Sequence, residues 1–101
     1  MPTKITIIIN NPTDPESFER AYQGIAENAQ QLPQLRRFEA AKVWPKEDGT
    51  PAPAYRTLDL YFDSYDHASA AVSTPAAADF FQRLVRSGTS FTGLFSDIEQ
   101  A

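Results

Sequence analysis

Three observations on the sequence predict an α+β fold. Strand-like and helix-like stretches follow one another in the order β-α-β-β-α-β, with the second helical stretch broken in two. The two longer helical stretches each open on a capping residue followed directly by proline, at Asp14-Pro15 and Thr74-Pro75. The third strand alternates between two residue classes, as a strand with two different environments does. The 101 residues read as a single domain over 1–101. An α/β barrel or a doubly wound nucleotide fold needs roughly twice that length or more.

Lys4 to Asn10 contains the run Ile5-Thr6-Ile7-Ile8-Ile9 and stops at Asn10-Asn11-Pro12, which marks a buried strand. A helix begins at once. Asp14 can accept hydrogen bonds from the free N–H groups of the first turn, Pro15 suits the first helical position, and Glu16 complements the helix dipole. Phe18, Ala21, Tyr22, Ile25, Ala29 and Leu32 then recur mostly at three- and four-residue steps. They form one apolar face of about four to five turns, ended by Pro33. Gly24 in mid-helix costs about 1 kcal/mol against alanine, which points to close packing against a neighbour.

Leu35 to Trp44 reads as the second strand. Pro45 to Ala54, with three prolines and a glycine, is a loop. Tyr55 to Phe62 is the third strand, with Leu58, Leu60 and Phe62 on one face and Tyr55, Thr57, Asp59 and Tyr61 on the other. Asp63 or Ser64 caps a short helix through Ala68, Ala71 and Val72. Thr74-Pro75 opens another through Phe81, Leu84 and Val85, and Ser87-Gly88 closes it. Thr89 to Ile98 is the last strand. The order fits a ferredoxin-like plait, an antiparallel sheet with its helices on one side.

Composition narrows the function. Hydrophobic residues make up 42% and charged residues 22%, close to the globular average and unlike a disordered chain. Nine basic against thirteen acidic residues give a net charge of −4, with no surplus of positive charge for nucleic acid. The absence of cysteine excludes disulfide scaffolds, zinc ribbons, iron–sulfur clusters and thiol nucleophiles. A single histidine leaves no multi-histidine metal site. No glycine-rich phosphate loop, nucleophile elbow or calcium loop is present, so no metal or cofactor is expected. The apolar run Ile5 to Ile9 is shorter than a signal-peptide core and far short of the roughly 20 residues that span a bilayer. The expected location is cytoplasmic, without a membrane partner.

Both helical layers of a plait cover the same sheet face, so the other face must be polar or covered by something else. Neither face of these strands reads as polar. The third strand sets two tyrosines opposite its leucines. The second carries Phe38 and Trp44 on one face and Leu35, Ala41 and Val43 on the other, and the fourth sets Phe91, Gly93 and Phe95 opposite Thr92, Leu94 and Ile98. An uncovered aromatic face exceeds what monomers expose. The expectation is a symmetric homodimer in which two sheets face each other.

Candidates for chemistry are few. Asp59 is flanked at two-residue spacing by Thr57 and Tyr61, on a face that lines a closed interior if two sheets pair. A carboxyl buried among aromatics has a raised pKa and can serve as a catalytic acid or base. The alternative is a cross-strand ion pair with Arg36, Arg37 or Lys42. Tyr22 on the first helix and Tyr61 on the third strand can shape and hydrogen-bond a small hydrophobic ligand, in different cavities if they lie on opposite sides of the sheet. Tyr22, Phe38, Trp44, Tyr61, Phe80, Phe81 and Phe91 either line an apolar pocket between helices and sheet or simply fill the core.

His67 follows Asp66, but sequential helix neighbours do not face each other, so it reads as a solvated surface histidine rather than half of a dyad. Arg36-Arg37 reads either as carboxylate recognition by one guanidinium or as one paired and one solvated arginine. Glu27 reads as part of a solvated helix face.

Several segments together carry a resemblance. Asn11 to Phe18 reads Asn-Pro-x-Asp-Pro-Glu-x-Phe, and Leu32 to Phe38 reads Leu-Pro-x-Leu-Arg-Arg-Phe. Leu60 to Ser64 reads Leu-Tyr-Phe-Asp-Ser, followed by an alanine-rich helix into Ser73-Thr74-Pro75. From Ile5 to about Ile98 the chain resembles the EthD family, named for a protein associated with ethyl tert-butyl ether degradation. The resemblance implies a ferredoxin-like subunit of a dimeric α+β barrel. It implies a cofactor-independent oxidoreductase, or an accessory protein, in the degradation of a small hydrophobic organic compound. The other expectation is a non-enzymatic small-molecule-binding or interaction module. One departure stands out. Family members often carry a histidine followed by proline late in the first helix, where this chain reads Gly24-Ile25-Ala26-Glu27-Asn28-Ala29. His67 lies in another element and is not its equivalent, so the resemblance carries the fold further than the activity.

Overall fold

A computed structural model describes residues 1–101. The chain runs β1 (Thr3–Ile9), α1 (Pro15–Ala29), β2 (Arg37–Lys42), β3 (Arg56–Phe62), α2 (Tyr65–Ala71), α3 (Pro75–Arg86) and β4 (Phe91–Asp97). The strands form one sheet in the order β2-β3-β1-β4, with every neighbouring pair antiparallel. This is the α+β ferredoxin-like plait. No helix is long and apolar enough to cross a membrane.

Local chemistry starts each helix. The Ser17 N–H donates to Asp14 Oδ1 at 3.2 Å, and proline follows both the Asp14 and Thr74 caps. Of the two candidate caps for α2, Ser64 takes the role, accepting from the His67 N–H at 3.2 Å. Asp63 is thereby left to the Arg36 guanidinium, whose Nη2 donates to it at 2.7 Å. Gly88, at φ 75°, turns the chain out of α3 in the left-handed conformation that glycine adopts without steric cost.

The core lies between the sheet and its helical layer. Ile5, Ile7 and Ile9 of β1 and Leu58, Leu60 and Phe62 of β3 face Phe18, Ile25 and Ala29 of α1 and Ala77, Phe80 and Leu84 of α3. Ala68 and Ala71, both fully buried, let the short α2 approach the sheet closely.

Strand ends and faces depart from expectation in ways that matter for the site. β2 starts at Arg37 rather than Leu35, because Pro33 is followed by Gln34 in a left-handed turn at φ 67°. It stops at Lys42, so Trp44 lies beyond the ladder and is 85% exposed. Tyr55 precedes β3 and escapes its alternation. Its ring meets Phe18 edge-on at 5.5 Å, and its hydroxyl donates to Glu19 at 2.9 Å, on the helix side of the sheet.

The expectation that neither sheet face is polar is corrected by the register. Phe38 pairs with Leu60, and Phe91 and Phe95 pair with Ile9 and Ile5, which places all three phenylalanines on the helix side. The uncovered face carries Arg37, Glu39 and Ala41 of β2, Thr57, Asp59 and Tyr61 of β3, Lys4, Thr6 and Ile8 of β1, and Thr92, Leu94 and Ser96 of β4. Tyr61 is its one aromatic ring. Alternation alone cannot say which parity of each strand faces the helices, and here β2 and β4 turn their aromatics inward.

Candidate functional site

The uncovered face concentrates the charged side chains of the sheet. Across one row stand Arg37, Tyr61 and Lys4, and across the next stand Glu39, Asp59 and Thr6. Tyr61 is flanked by both cations, with Lys4 Nζ 5.9 Å and the Arg37 guanidinium 5.7 Å from its ring centroid. Its hydroxyl donates to Glu39 Oε1 at 2.7 Å, and Arg37 Nη2 bonds the other oxygen of that carboxylate.

The proton affinities follow from these contacts. The bond to Glu39 raises the Tyr61 pKa, and burial and the charges of Glu39 and Asp59 push the same way, so the phenol keeps its proton. The same bond holds Glu39 below the ordinary carboxylate range against the opposing effect of burial, with Arg37 and Lys4 assisting.

Asp59 stands among polar side chains rather than aromatics. Its Oδ1 accepts from the Thr6 hydroxyl at 2.6 Å and lies 3.6 Å from Lys4 Nζ. The cross-strand ion pair is thus formed, with Lys4 of β1 rather than with Arg36, Arg37 or Lys42. Arg36 pairs with Asp63 and Arg37 with Glu39, so both members of that dipeptide are engaged.

Beside this cluster opens a cavity of about 590 Å³. Lys4, Arg37, Glu39, Tyr61 and Asp97 form its sheet side, and Ile98 to Ala101 of the tail form the rest. Tyr61 therefore lines a cavity, with Lys4 between it and Asp59, which itself is outside the cavity wall.

Tyr22 lies on the other side of the sheet and shares no site with Tyr61. Its ring stacks on Phe18 at 5.9 Å and lies 3.9 Å from the Arg56 guanidinium. Burial raises the Tyr22 pKa, partly offset by the Arg56 charge. Between helices and sheet the side chains fill the core rather than line a pocket: Ile7, Ile9, Ile25 and Leu58 have no exposed surface there.

His67 is half-buried rather than solvated, with Nδ1 fully covered and without a hydrogen-bond partner. Glu27 is exposed, as a solvated helix face requires.

Sequence reasoning missed Lys4, Glu39, Glu19 and Arg56. For Arg56 a signal existed: it occupies the inward parity of β3, in step with Leu58, Leu60 and Phe62. A charge at such a position needs a partner inside. For Glu39 there was none, because its neighbours are fixed by strand register.

An antiparallel sheet with one face under helices and a charged cluster on the other defines a ferredoxin-like α+β domain. Solved structures agree. An EthD family protein from Bacillus halodurans superposes with a TM-score of 0.88 at 18% identity, over 96% of this chain and 98% of that one. SnoaB, a cofactor-independent oxygenase from Streptomyces nogalater, superposes at 0.71 with 12% identity, over 99% and 95%. A dimeric protein of unknown function from Bacteroides fragilis superposes at 0.70 with 12% identity, over 96% of each chain. No known family profile matches the sequence. An uncharacterised 11.0 kDa protein from the thcB-thcC intergenic region of Rhodococcus erythropolis is 38% identical over 81 residues, 75% of this chain and 78% of that protein. The chain belongs to one family with this Rhodococcus protein, and its fold is that of the EthD family.

Proposed function

We propose that the chain is a self-associating EthD-type subunit that binds a small organic compound on its uncovered sheet face and serves in its degradation. It acts either as a cofactor-independent oxidoreductase or as an accessory to one. The observation that carries this reading is the Tyr61 hydroxyl, held protonated on Glu39 at 2.7 Å in the wall of the 590 Å³ cavity. Tyr61 offers its ring to an apolar body and Lys4 a donor to a polar group. Asp59, 3.6 Å behind Lys4, is the carboxylate that takes a proton. The cofactor-independent oxygenase of the same fold supports the reading by analogy of fold.

Self-association is supported by the dimeric neighbour from Bacteroides fragilis. Light scattering should give twice the chain mass of 11.2 kDa. An 11.2 kDa particle at micromolar concentration would count against it.

The experiment for binding is a thermal-shift panel of apolar aromatics and short ethers. A ligand at 100 times its dissociation constant adds about 2.7 kcal/mol of stability. Tyr61→Phe should weaken binding, and Asp59→Asn should abolish turnover while leaving binding in place. A second reading, an interaction module without a ligand, is favoured by one observation: Lys4, Arg37, Glu39 and Asp59 are all already paired within the chain. A flat panel with unchanged variants would establish that reading instead.

A further inference from the structure

Arg56 opens β3 on the helix side, with its side chain only 4% exposed. Nη2 donates to Glu19 Oε1 at 2.8 Å, an oxygen that also accepts from the Tyr55 hydroxyl at 2.9 Å. The guanidinium lies 3.9 Å from the Tyr22 ring centroid and 5.4 Å from that of Tyr55. Nη1 is buried and meets no hydrogen-bond acceptor.

A guanidinium carries a planar fork of donors that matches both oxygens of one carboxylate. Here Glu19 answers only one of them, through one oxygen. A buried cationic donor left unanswered is costly, and such groups cluster where a protein does something. The charge count points the same way. Lys42, the register partner of Arg56 on β2, also acts on Glu19, so two cations face one carboxylate. Glu19 itself is 43% exposed on α1, and its carboxylate fills the position that a second carboxylate would take.

We propose that Arg56 is a receptor for a small organic carboxylate, gripped at two points by Nη1 and Nη2. Glu19 is the internal stand-in that the ligand displaces. Tyr22 and Tyr55 are the aromatic walls that favour a planar, unsaturated or aromatic body. This site lies across the sheet from the Tyr61 cavity and does not depend on it.

The test is a titration of the full chain with benzoate, followed by NMR at arginine side chains and tyrosine rings, with benzyl alcohol as the uncharged control. Benzoate should bind saturably in the millimolar range, with shifts at Arg56 and Tyr22, and benzyl alcohol should not. Glu19→Gln keeps the shape and removes the competing charge, so it should tighten benzoate binding about tenfold, the worth of one charge-assisted bond. Arg56→Lys keeps the charge without the fork and should lose the binding. If that variant does not fold, wild type against Glu19→Gln decides alone. Absence of saturable binding in both, or an equal response to benzyl alcohol, overturns the proposal. Shifts confined to Arg37, Lys4 and Tyr61 overturn it too, and assign benzoate to the other face.

Discussion

Glu39 and Asp59 are register partners on β2 and β3, so two carboxylates stand directly opposite each other on the uncovered face of the sheet. Like charges so placed repel. Each is offset by a cation and a hydroxyl: Glu39 by Arg37 and Tyr61, Asp59 by Lys4 and Thr6. The face is a balanced array in which removing a cation is worse than removing an acid.

Asp59→Asn gives up the Lys4 pair but also the repulsion from Glu39, so it should change stability by less than about 0.5 kcal/mol. Lys4→Met keeps the repulsion and removes the offset, and should cost about 0.5–1 kcal/mol. Urea unfolding midpoints for the two variants and their double mutant give the coupling directly. An Asp59→Asn loss larger than that of Lys4→Met would contradict the balance.

Phe18 is 1% exposed and touches both tyrosines of the Arg56 cluster, Tyr22 at 5.9 Å and Tyr55 at 5.5 Å between ring centroids. Phe18→Ala should cost about 3–5 kcal/mol, the range for emptying an aromatic site in a packed core. Val85, 67% exposed on α3, provides the contrast: Val85→Ala should stay within about 0.5 kcal/mol. Chemical denaturation of both variants checks the pair.

The elements were legible because each is announced locally. Asp14-Pro15 and Thr74-Pro75 start helices by their own hydrogen-bonding chemistry, and Leu58, Leu60 and Phe62 mark an inward face by period alone. The site was not legible in the same way. The alternation of β3 puts Tyr61 on the face opposite its leucines, where it lines a cavity, but its partner Glu39 is set by pairing between two strands, which no local pattern encodes. For Asp59 the sequence leaves two alternatives, and the ion pair forms with a lysine of β1, 55 positions away, rather than with a neighbour on β2. The polarity of the open face was misread for the same reason. The parity of β2 and β4 depends on how each strand joins the sheet.

Gly24 sits in mid-α1, where a neighbour was expected to press closely. The neighbour is Arg83 of α3: a Cβ at Gly24 would meet its Nη1 at 2.9 Å. That atom ends a flexible, half-exposed side chain whose only ion pair, to Asp79 at 3.5 Å, contributes little. Arg83 can therefore move away cheaply, while alanine gains about 1 kcal/mol of helix propensity. Gly24→Ala should leave stability unchanged or raise it by up to about 1 kcal/mol. A loss in thermal or urea unfolding would mean that the α1–α3 spacing itself cannot give.

Glu19 ties stability to pH. Burial acts to raise its carboxyl pKa, but hydrogen bonds from Tyr55 and Arg56 and the charges of Arg56 and Lys42 outweigh that, leaving it below the ordinary 4.5. A carboxyl lowered in the folded state releases its proton more readily there than in the unfolded chain. Its stabilisation is therefore complete above the ordinary value and disappears as pH falls through the lowered one. Asp63, held down by Arg36, behaves alike. Tyr55 and Tyr61 have the opposite sign: bonded to carboxylates, they titrate above the ordinary 10.0. What they contribute is complete below that value and is lost as pH rises beyond it. Urea midpoints measured from acid to alkaline pH should therefore be flat between the carboxylate and phenol ranges and fall at both ends. Glu19→Gln should flatten the acid limb and, by removing the carboxylate charge beside the Tyr55 hydroxyl, also shrink the Tyr55 share of the alkaline fall. An unchanged acid limb in that variant would show that Glu19 does not hold Arg56 in solution as it does in the structure.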